Sequence, residues 1–500
     1  MSQATLLERV RQLCELAARQ IDDPGAAVAV AAVHDRLFDP LRIAIVGRAK
    51  AGKSTVLNAL VGERLAATDA AECTRLVTWY RHGIGYEVRA WLGSGGSREV
   101  QFRRDGRLVI MLDELDRRDV EHLEVRWPAS RLERMVFVDT PGLASTDEVS
   151  AARSLRLLGL EADSVGEVDA VVYLLRHLQR RDIDFLEAFL DRAVAEPSPV
   201  NAIAVLSRAD EIGGSRLDAL DAAAAVARRY ATDERLRIRC STVIPVAGLI
   251  AETGATLRED EANVLRQLAA LPSDELDDLL LSVDRFVDPD RSEVSSLART
   301  ELLARLGLFG VRWSIAAFRR GVVRSAVDLS GALLEVSGIG RLVELLERHF
   351  AARAGVLKAW AALAGLRAIA RGLPREQAAA AQWLVAESEK LEASAHEFAE
   401  LRLWHLVLSG TIQLDEGERG ELEQLTSEGS PATRLGMPDT TEAEVVRDEA
   451  SSRSARWRAR AAHPLASREM ADACEIVARS YEGVHAVLAR EGAAANQALP

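Results

Sequence analysis

The chain has 500 residues, of which 48% are hydrophobic, so it is long enough for two or three domains with sizeable cores. Its formal charge of −13 and pI of about 5.4 argue against a generally basic nucleic-acid-binding surface. Four cysteines without a CxxC pair indicate neither a zinc site nor a disulfide framework, and with no secretory signal and no 18-residue apolar run the expected location is the cytoplasm.

Two helices are predicted at the N-terminus. Apolar residues recur at helical spacing over residues 5–20, and the DDPG sequence that follows ends this helix. A second segment rich in alanine and valine runs to about Leu37. These helices have no strands beside them in the sequence, so we expect them to pack against helices from the other end of the chain.

Strand-like and helical segments alternate from about residue 41 to residue 250. This alternation predicts a mostly parallel sheet with helices on both faces. An additional strand pair is expected around WLGSGG and RRDG. The clearest strands are predicted at 42–47, 134–140, 168–175, 201–207 and 241–248.

The strand pattern disappears after about residue 255. Residues 340–370 form the most convincing long helix, and a last helix is predicted at about 465–491. The segment 415–456 is polar and predicts a surface loop. The predicted fold is therefore an α/β domain inserted into an α-helical bundle, with boundaries at 1–40, 41–290 and 291–500.

Residues 47–54, GRAKAGKS, fit the phosphate-loop pattern GxxxxGK[ST] between a strand and a helix. Gly47 and Gly52 let backbone N–H groups point at phosphate oxygens, and the following helix adds its positive end. Lys53 is predicted to reach the β- and γ-phosphates as a catalytic group, and Ser54 to bind Mg²⁺. The neighbours Ala51 and Thr55 complete the predicted nucleotide-binding segment.

The sequence FVDTPG places Asp139 at the end of a strand. There it can hold Mg²⁺ through water, while the N–H of Gly142 meets the γ-phosphate. Leu143 stands where Ras-type GTPases carry a catalytic glutamine. The attacking water is therefore expected to be positioned by the loop backbone or by a second protomer.

A switch threonine is expected between the phosphate loop and Asp139. Thr74 is the best candidate for a catalytic residue that binds Mg²⁺ and closes on the γ-phosphate. Thr68 and Thr78 are rivals, although Thr78 falls in the following strand.

The segment Ser207-Arg208-Ala209-Asp210 favours GTP over ATP. Asp210 can accept hydrogen bonds from guanine N1 and N2, which adenine does not offer, and Arg208 can stack on the base. The N–H of Ala247, at the end of the last strand, is predicted to contact guanine O6. The pattern S-R-x-D occurs often by chance, but its place after a strand favours the guanine interpretation.

Together these motifs resemble the dynamin superfamily. The phosphate loop continues as KSTVLNALVG, which includes Asn58, and is followed by a threonine-containing switch, DTPG and SRAD. Residues 41–83, SRADEIGGSRLDA, LLSVDRFV and RAAHPL are similar to the isoniazid-inducible dynamin-like proteins of mycobacteria, especially the IniC type. The resemblance implies a GTPase head, a helical neck and trunk, a homodimer through the heads, and a cytoplasmic protein working at the inner face of the membrane.

The sequence departs from the wider dynamins at Lys50. Many dynamins carry a serine there that helps to bind a monovalent cation. Only four of the 63 basic residues are lysine, and Lys50 and Lys53 share one loop. An ammonium group at Lys50 can replace the cation between the α- and γ-phosphates and act in catalysis. The alternative is that Lys50 points to solvent.

Contact with a membrane has less support in the sequence. Residues 306–323 mix aromatic side chains with arginines, as an interfacial helix does, but a core helix near a hinge has the same pattern. A membrane-binding paralogous partner is a second route to lipid. The other functions considered are a regulatory GTPase that assembles a ribosome or protein complex, and a nucleotide-gated scaffold; no nucleic-acid partner is expected.

Overall fold

The computed structural model describes residues 5–66, 76–104, 107–112, 115–116, 119–141, 148–160, 165–190 and 201–497. All strands of these residues lie between Leu41 and Val246. The strands are β1 Leu41–Gly47, β2 Val77–His82, β3 Glu87–Leu92, β4 Ser97–Glu99, β5 Phe102–Arg104, β6 Leu108–Ile110, β7 Val120–Trp127, β8 Met135–Asp139, β9 Ala170–Leu175, β10 Ala202–Ser207 and β11 Val243–Val246.

Helices precede, surround and follow the strands. The first eleven are α1 Leu6–Gln20, α2 Pro24–Arg36, α3 Lys53–Val61, α4 Glu148–Leu157, α5 Arg180–Leu190, α6 Ala219–Ala231, α7 Glu234–Arg237, α8 Gly248–Ala255, α9 Glu259–Ala270, α10 Ser273–Leu279 and α11 Val283–Val287. The others are α12 Ser296–Arg319, α13 Ala326–Val336, α14 Ile339–Leu345, α15 Ala354–Gly372, α16 Ala378–Ser394, α17 His396–Leu408, α18 Glu416–Leu425, α19 Pro431–Arg434, α20 Ala443–Ala461 and α21 Arg468–Gln497.

The main sheet has the strand order β11-β10-β9-β1-β8-β2-β7-β3-β4 among the described residues. The five strands from β11 to β8 run parallel, and β2 pairs antiparallel with β8. These central strands are buried on both faces, which explains their nearly continuous apolar sequences. The predicted mostly parallel sheet is confirmed, and the carboxyl ends of β1, β8, β10 and β11 meet at one edge.

The first two helices pack against helices from the distant end of the chain. Val10 and Val33 are buried in one cluster with Leu363, Leu366 and Phe398. Lys358 Nζ donates to the carbonyl oxygens of Leu37 and Asp39, at 2.9 Å each, where α2 leads into β1. The prediction of a sheet inserted into a helical bundle is therefore confirmed.

The predicted polar loop at 415–456 is wrong. The segment forms α18, α19 and most of α20, and its apolar residues Leu422, Leu425 and Val446 are buried against α21. A few apolar residues are sufficient because each helix buries only one face and leaves the rest polar.

The predicted long helix at 340–370 is interrupted. A π-helical turn at Leu346–Phe350 and a 3₁₀ turn at Ala351–Arg353 separate α14 from α15. The interruption carries two buried polar side chains, His349 and Arg353. His349 Nε2 lies 2.8 Å from Ser241 Oγ, and its Nδ1 accepts from Trp404 Nε1 at 2.9 Å.

Residues 306–318 are buried or half-buried, whereas residues 319–322 are exposed at the end of α12. Phe309 and Ile315 are buried beside the sheet, and Arg312 donates to the carbonyl oxygens of Ser215 and Leu280 at 2.8 and 2.6 Å. The interpretation as a core helix is therefore confirmed over an interfacial helix. Within the described ranges, no helix combines the length and apolarity that crossing a bilayer requires.

Candidate nucleotide site

The phosphate loop leaves β1 at Gly47 and enters α3 at Gly52. A Cβ atom at Gly47 would lie 2.6 Å from the carbonyl oxygen of Leu174 in β9, so any side chain there forces the loop away from the sheet. Gly52 has φ of 88°, a left-handed conformation that favours glycine, and it is the N-cap of α3. Both glycines thus shape a loop that exposes N–H groups at a helix start, as a phosphate site requires.

Lys53 is held inside this loop. Its side chain is 9% exposed, and Nζ donates to the carbonyl oxygens of Gly47 and Arg48 at 3.4 and 3.3 Å. Burial lowers the pKa of Lys53, and the nearby Asp139 carboxylate opposes this shift. Weak carbonyl contacts are readily exchanged for phosphate oxygens, which pair with the buried ammonium more strongly.

Ser54 and Asp139 come together beside Lys53. Ser54 Oγ donates to Asp139 Oδ2 at 2.8 Å, and Asp139 Oδ1 is buried without a hydrogen-bond partner among the described residues. Burial raises the pKa of Asp139, against the effect of Lys53. A hydroxyl beside a carboxylate with an unpaired oxygen fits Mg²⁺, which prefers oxygen ligands and retains waters.

Asp210 lies directly after β10, in a short turn at the same edge of the sheet. It is 6% exposed, and burial raises its pKa to about 6. Gly307 of α12 lies beside it: a Cβ atom on Gly307 would be 3.7 Å from Asp210 Oδ2. Gly307 has φ of 63° and interrupts the helix, so α12 bends where it passes the carboxylate.

The neighbours of Asp210 are also fixed. Arg208 adopts φ of 53°, and its Nη1 donates to Glu211 Oε1 at 2.7 Å. Ser207 Oγ donates to the carbonyl oxygen of Leu175 at 3.2 Å. Arg208 therefore starts from an ion pair that it must retain or exchange when it stacks on a base.

Ala247 has a backbone N–H that is already paired in this structure. Its N–H donates to the carbonyl oxygen of Ser337 at 2.9 Å, so in this conformation it is not free to contact guanine O6. The residues after α13 reach the end of β11 and occupy this N–H, so the contact with guanine O6 stays a prediction that requires this bond to open. Ala247 still lies at the start of α8, at the same sheet edge as Asp210.

Several other predicted residues can be placed in part. Ala51 is buried, Thr55 is half-buried, and Lys50 is exposed with φ of 61°. Thr78 is buried in β2, where it pairs with Asp139. Four residues lie outside the described ranges: Thr68, Thr74, Gly142 and Leu143.

Two residues near the site were not expected from the sequence. Gly307 approaches Asp210, and a glycine inside a helical pattern was the available signal for a break. Glu252 of α8 accepts from Asn58 of α3 at 3.2 Å. No local pattern indicates that pairing, because the two residues are far apart in the sequence.

The pKa of Asp210 gives a testable pH dependence. Guanine recognition needs the ionised carboxylate, so the affinity for N-methylanthraniloyl-GDP should be full above pH 7 and should fall as pH drops through about 6. Between pH 7.5 and 5.5 we expect a loss of about fourfold. Without nucleotide, the stability of the fold has the opposite pH dependence. The buried Asp210 carboxylate lowers the free energy of unfolding above pH 6, and this cost is lost as the pH falls towards 4.

Fluorescence titrations at several pH values measure this effect. The same series on Asp210→Asn gives the contribution of phosphate protonation. An equal pH dependence in both proteins would contradict the role of Asp210.

Residues 42–206 match the family model described as 50S ribosome-binding GTPase. With the site at the carboxyl edge of the sheet, this match places the chain in the class of P-loop GTPases. Isoniazid-induced protein IniC from two strains of Mycobacterium tuberculosis is 41% identical over 452 residues, 90% of this chain and 90% of the relative. The chain therefore belongs to the dynamin-like family of IniC and is a GTPase.

Other similar proteins are also dynamin-like. The bacterial dynamin-like protein of Nostoc punctiforme is 29% identical over 150 residues, 28% of this chain and 20% of that protein. Two chains from solved structures of an oligomerised bacterial dynamin pair, described for long-range sensing and tethering of membranes, align with 98% and 97% of this chain and 74% and 80% of their own. Their identities are 14% and 13% and their TM-scores are 0.32 and 0.31.

Proposed function

We propose that this GTPase binds GTP with Mg²⁺, self-associates through its heads, and couples hydrolysis to membrane-directed remodelling or maintenance. The observation that carries the proposal is the position of Gly307, where the first long helix after the sheet bends against Asp210. We therefore expect a change at Asp210 to displace α12, which packs beside the sheet and leads into the proposed neck. Membership of a dynamin-like family supports the same coupling.

The units of this cycle are proposed as a head at 41–290 and a helical neck and trunk built from 1–40 and 291–500. The hinge lies near 290–340, where α12 and α13 contact α8. Ser330 Oγ donates to the carbonyl oxygen of Gly254 at 2.6 Å, and Thr253 Oγ1 donates to the carbonyl oxygen of Arg305. These bonds connect α8 with α12 and α13, the first two helices of the proposed neck.

The proposed roles at the site follow from its geometry and the resemblance. Ser54, Thr74 and Asp139 would hold Mg²⁺, which would supply positive charge beside the phosphates. Lys53 holds the β- and γ-phosphates, and Asp210 and Arg208 hold the base. The further nucleotide contacts are proposed at Gly47, Ala51, Gly52, Thr55, Gly142, Ser207 and Ala247.

Lys50 is proposed to replace a monovalent cation. Its left-handed backbone is unfavourable for a residue with a Cβ, and this strain is retained at functional sites when the side chain is needed. We expect turnover to be unchanged when K⁺ is exchanged for Na⁺. Lys50→Ser should lower kcat by about tenfold or more and make the remaining turnover respond to K⁺. A wild-type requirement for one specific cation would exclude the role.

Membrane contact is proposed to be peripheral, direct or through a membrane-binding paralogous partner. Leu465, 88% exposed between α20 and α21, is a candidate for direct contact at a loop tip. The second candidate function is a regulatory or scaffold GTPase that acts through a protein partner without lipid. It is favoured by the burial of Phe309 and Ile315, which leaves these side chains unavailable for contact with lipid.

GTP turnover per protomer, measured against protein concentration with and without anionic liposomes, tests the proposal. A specific activity that rises with concentration and again with liposomes supports assembly of heads on a membrane. An activity that rises with concentration alone favours the protein-partner function. A flat response in both series contradicts coupling of hydrolysis to self-association.

A further inference from the structure

Asn58 belongs to the motif that continues the phosphate loop, yet the predicted functions give it no role. It lies on α3, four residues after Ser54, so both side chains are on the same side of the helix. Asn58 is 1% exposed. A buried amide is costly unless its donors and acceptor are paired, so its partners show what it holds.

The Asn58 side chain holds the chain at Ala66. Asn58 Oδ1 accepts from the N–H of Ala66 at 2.6 Å, and Asn58 Nδ2 donates to the Ala66 carbonyl oxygen at 3.0 Å. The side-chain amide thus pairs with both the N–H and the C=O of Ala66, as a neighbouring β-strand would. They close the loop after α3 and fix the point from which the chain continues towards Thr68 and Thr74.

The remaining donor of Asn58 reaches α8. Asn58 Nδ2 also donates to Glu252 Oε2 at 3.2 Å, and the other oxygen of Glu252 accepts from Arg64 Nε at 2.6 Å. Glu252 is 3% exposed. The network therefore joins the phosphate-loop helix, Ala66 and the helix that follows the last strand.

We propose that Asn58, Glu252 and Arg64 are positioning residues for GTP hydrolysis, because they hold Ala66 in a fixed place relative to Ser54 and Lys53. The inference rests on the proposed function of the switch threonines. It concerns turnover rather than nucleotide affinity, since none of the three side chains contacts the phosphate loop through the bonds described. Because α8 also bonds to the neck through Thr253, the same network connects the neck with Ala66.

Three variants and a control test the inference. Asn58→Asp retains the acceptor for the Ala66 N–H, removes both donors and places a second carboxylate against Glu252. Glu252→Gln is a milder change of nearly the same shape. The double variant exchanges donor and acceptor between the two side chains. Asn263→Asp is the matched control, since Asn263 is exposed on α9.

We expect Asn58→Asp to lower kcat by about tenfold or more, as small misplacements near a reacting group do, with affinity for N-methylanthraniloyl-GDP within about twofold of wild type. The double variant should regain about threefold or more of the lost kcat. Asn263→Asp should match wild type.

Two outcomes would overturn the inference. One is a kcat within about twofold of wild type for both single variants. The other is a fall in GDP affinity and thermal midpoint that accompanies the fall in kcat, because this pattern marks a purely structural role. If Asn58→Asp fails to fold, Glu252→Gln is used instead, and we expect its kcat to be about threefold lower than that of wild type. Wild-type turnover and its concentration dependence are measured in the same assays, so a failure of the proposed function is seen separately.

Discussion

Lys53→Ala is expected to reduce kcat for GTP by about 10²–10³-fold, equivalent to about 3–4 kcal/mol of transition-state stabilisation. Lys53 is enclosed by the loop, and its ammonium is held at the carbonyl oxygens of Gly47 and Arg48, where the sequence predicts the phosphates. The phosphoryl oxygens gain charge in the transition state, so removal of this cation affects turnover more than ground-state binding. Steady-state phosphate release at saturating GTP measures the loss.

A lysine elsewhere provides the matched control. Lys390 is 74% exposed, and its Nζ pairs only weakly with Glu387 at 3.3 Å. Lys390→Ala should therefore leave turnover unchanged. The thermal midpoint of Lys53→Ala is measured without nucleotide, because the variant removes both a buried charge and the cation that offsets the Asp139 carboxylate. A kcat within about tenfold of wild type would contradict the role of Lys53.

Asp210→Asn is expected to weaken GTP binding by about 10²–10⁴-fold and to favour xanthine nucleotides. Two charge-assisted hydrogen bonds to guanine N1 and N2 are lost, at about 1.5–3 kcal/mol each. Xanthine presents an oxygen where guanine presents the N2 amine, so an amide donor suits it better. Competition titrations with GDP, XDP and ADP measure the change in preference.

Asp218→Asn serves as the control for the same chemical change nearby. Asp218 lies a short distance after Asp210 in the sequence, and its side chain is 67% exposed. Its substitution should leave the preference for guanine as in wild type. An Asp210→Asn protein that still prefers GDP over XDP would show that guanine is recognised elsewhere, for example through the backbone beside Ala247.

Local sequence patterns predict the central strands and the phosphate loop of this fold. The runs that became β1, β8, β9 and β10 are buried on both faces, so nearly every residue in them is apolar and the pattern is unambiguous. The phosphate loop was equally clear, because glycines, lysine and serine occur there at a fixed spacing.

Features that depend on distant contacts were not predicted. The segment that contains Leu422 and Val446 has a loop-like sequence, because its few apolar residues become a buried face only when they pack against α21. The N–H of Ala247 is taken by Ser337, 90 residues further along, and no pattern near Ala247 indicates this. Glu252 likewise becomes important only when α8 packs against α3.

The inserted arrangement of the sheet also has a consequence for biosynthesis. Lys358 bonds to the carbonyl oxygen of Leu37 across 321 positions of sequence, and the apolar faces of α1 and α2 are buried by α15. At about 5–20 residues per second, a ribosome needs about 16–64 s to make the intervening chain. During that interval α1 and α2 can pack only against each other, while the sheet between them and α15 can already fold. The sheet is therefore expected to fold before α1 and α2 pack against α15. A nascent chain that stalls before α15 exposes the apolar faces of α1 and α2 to chaperones and proteases.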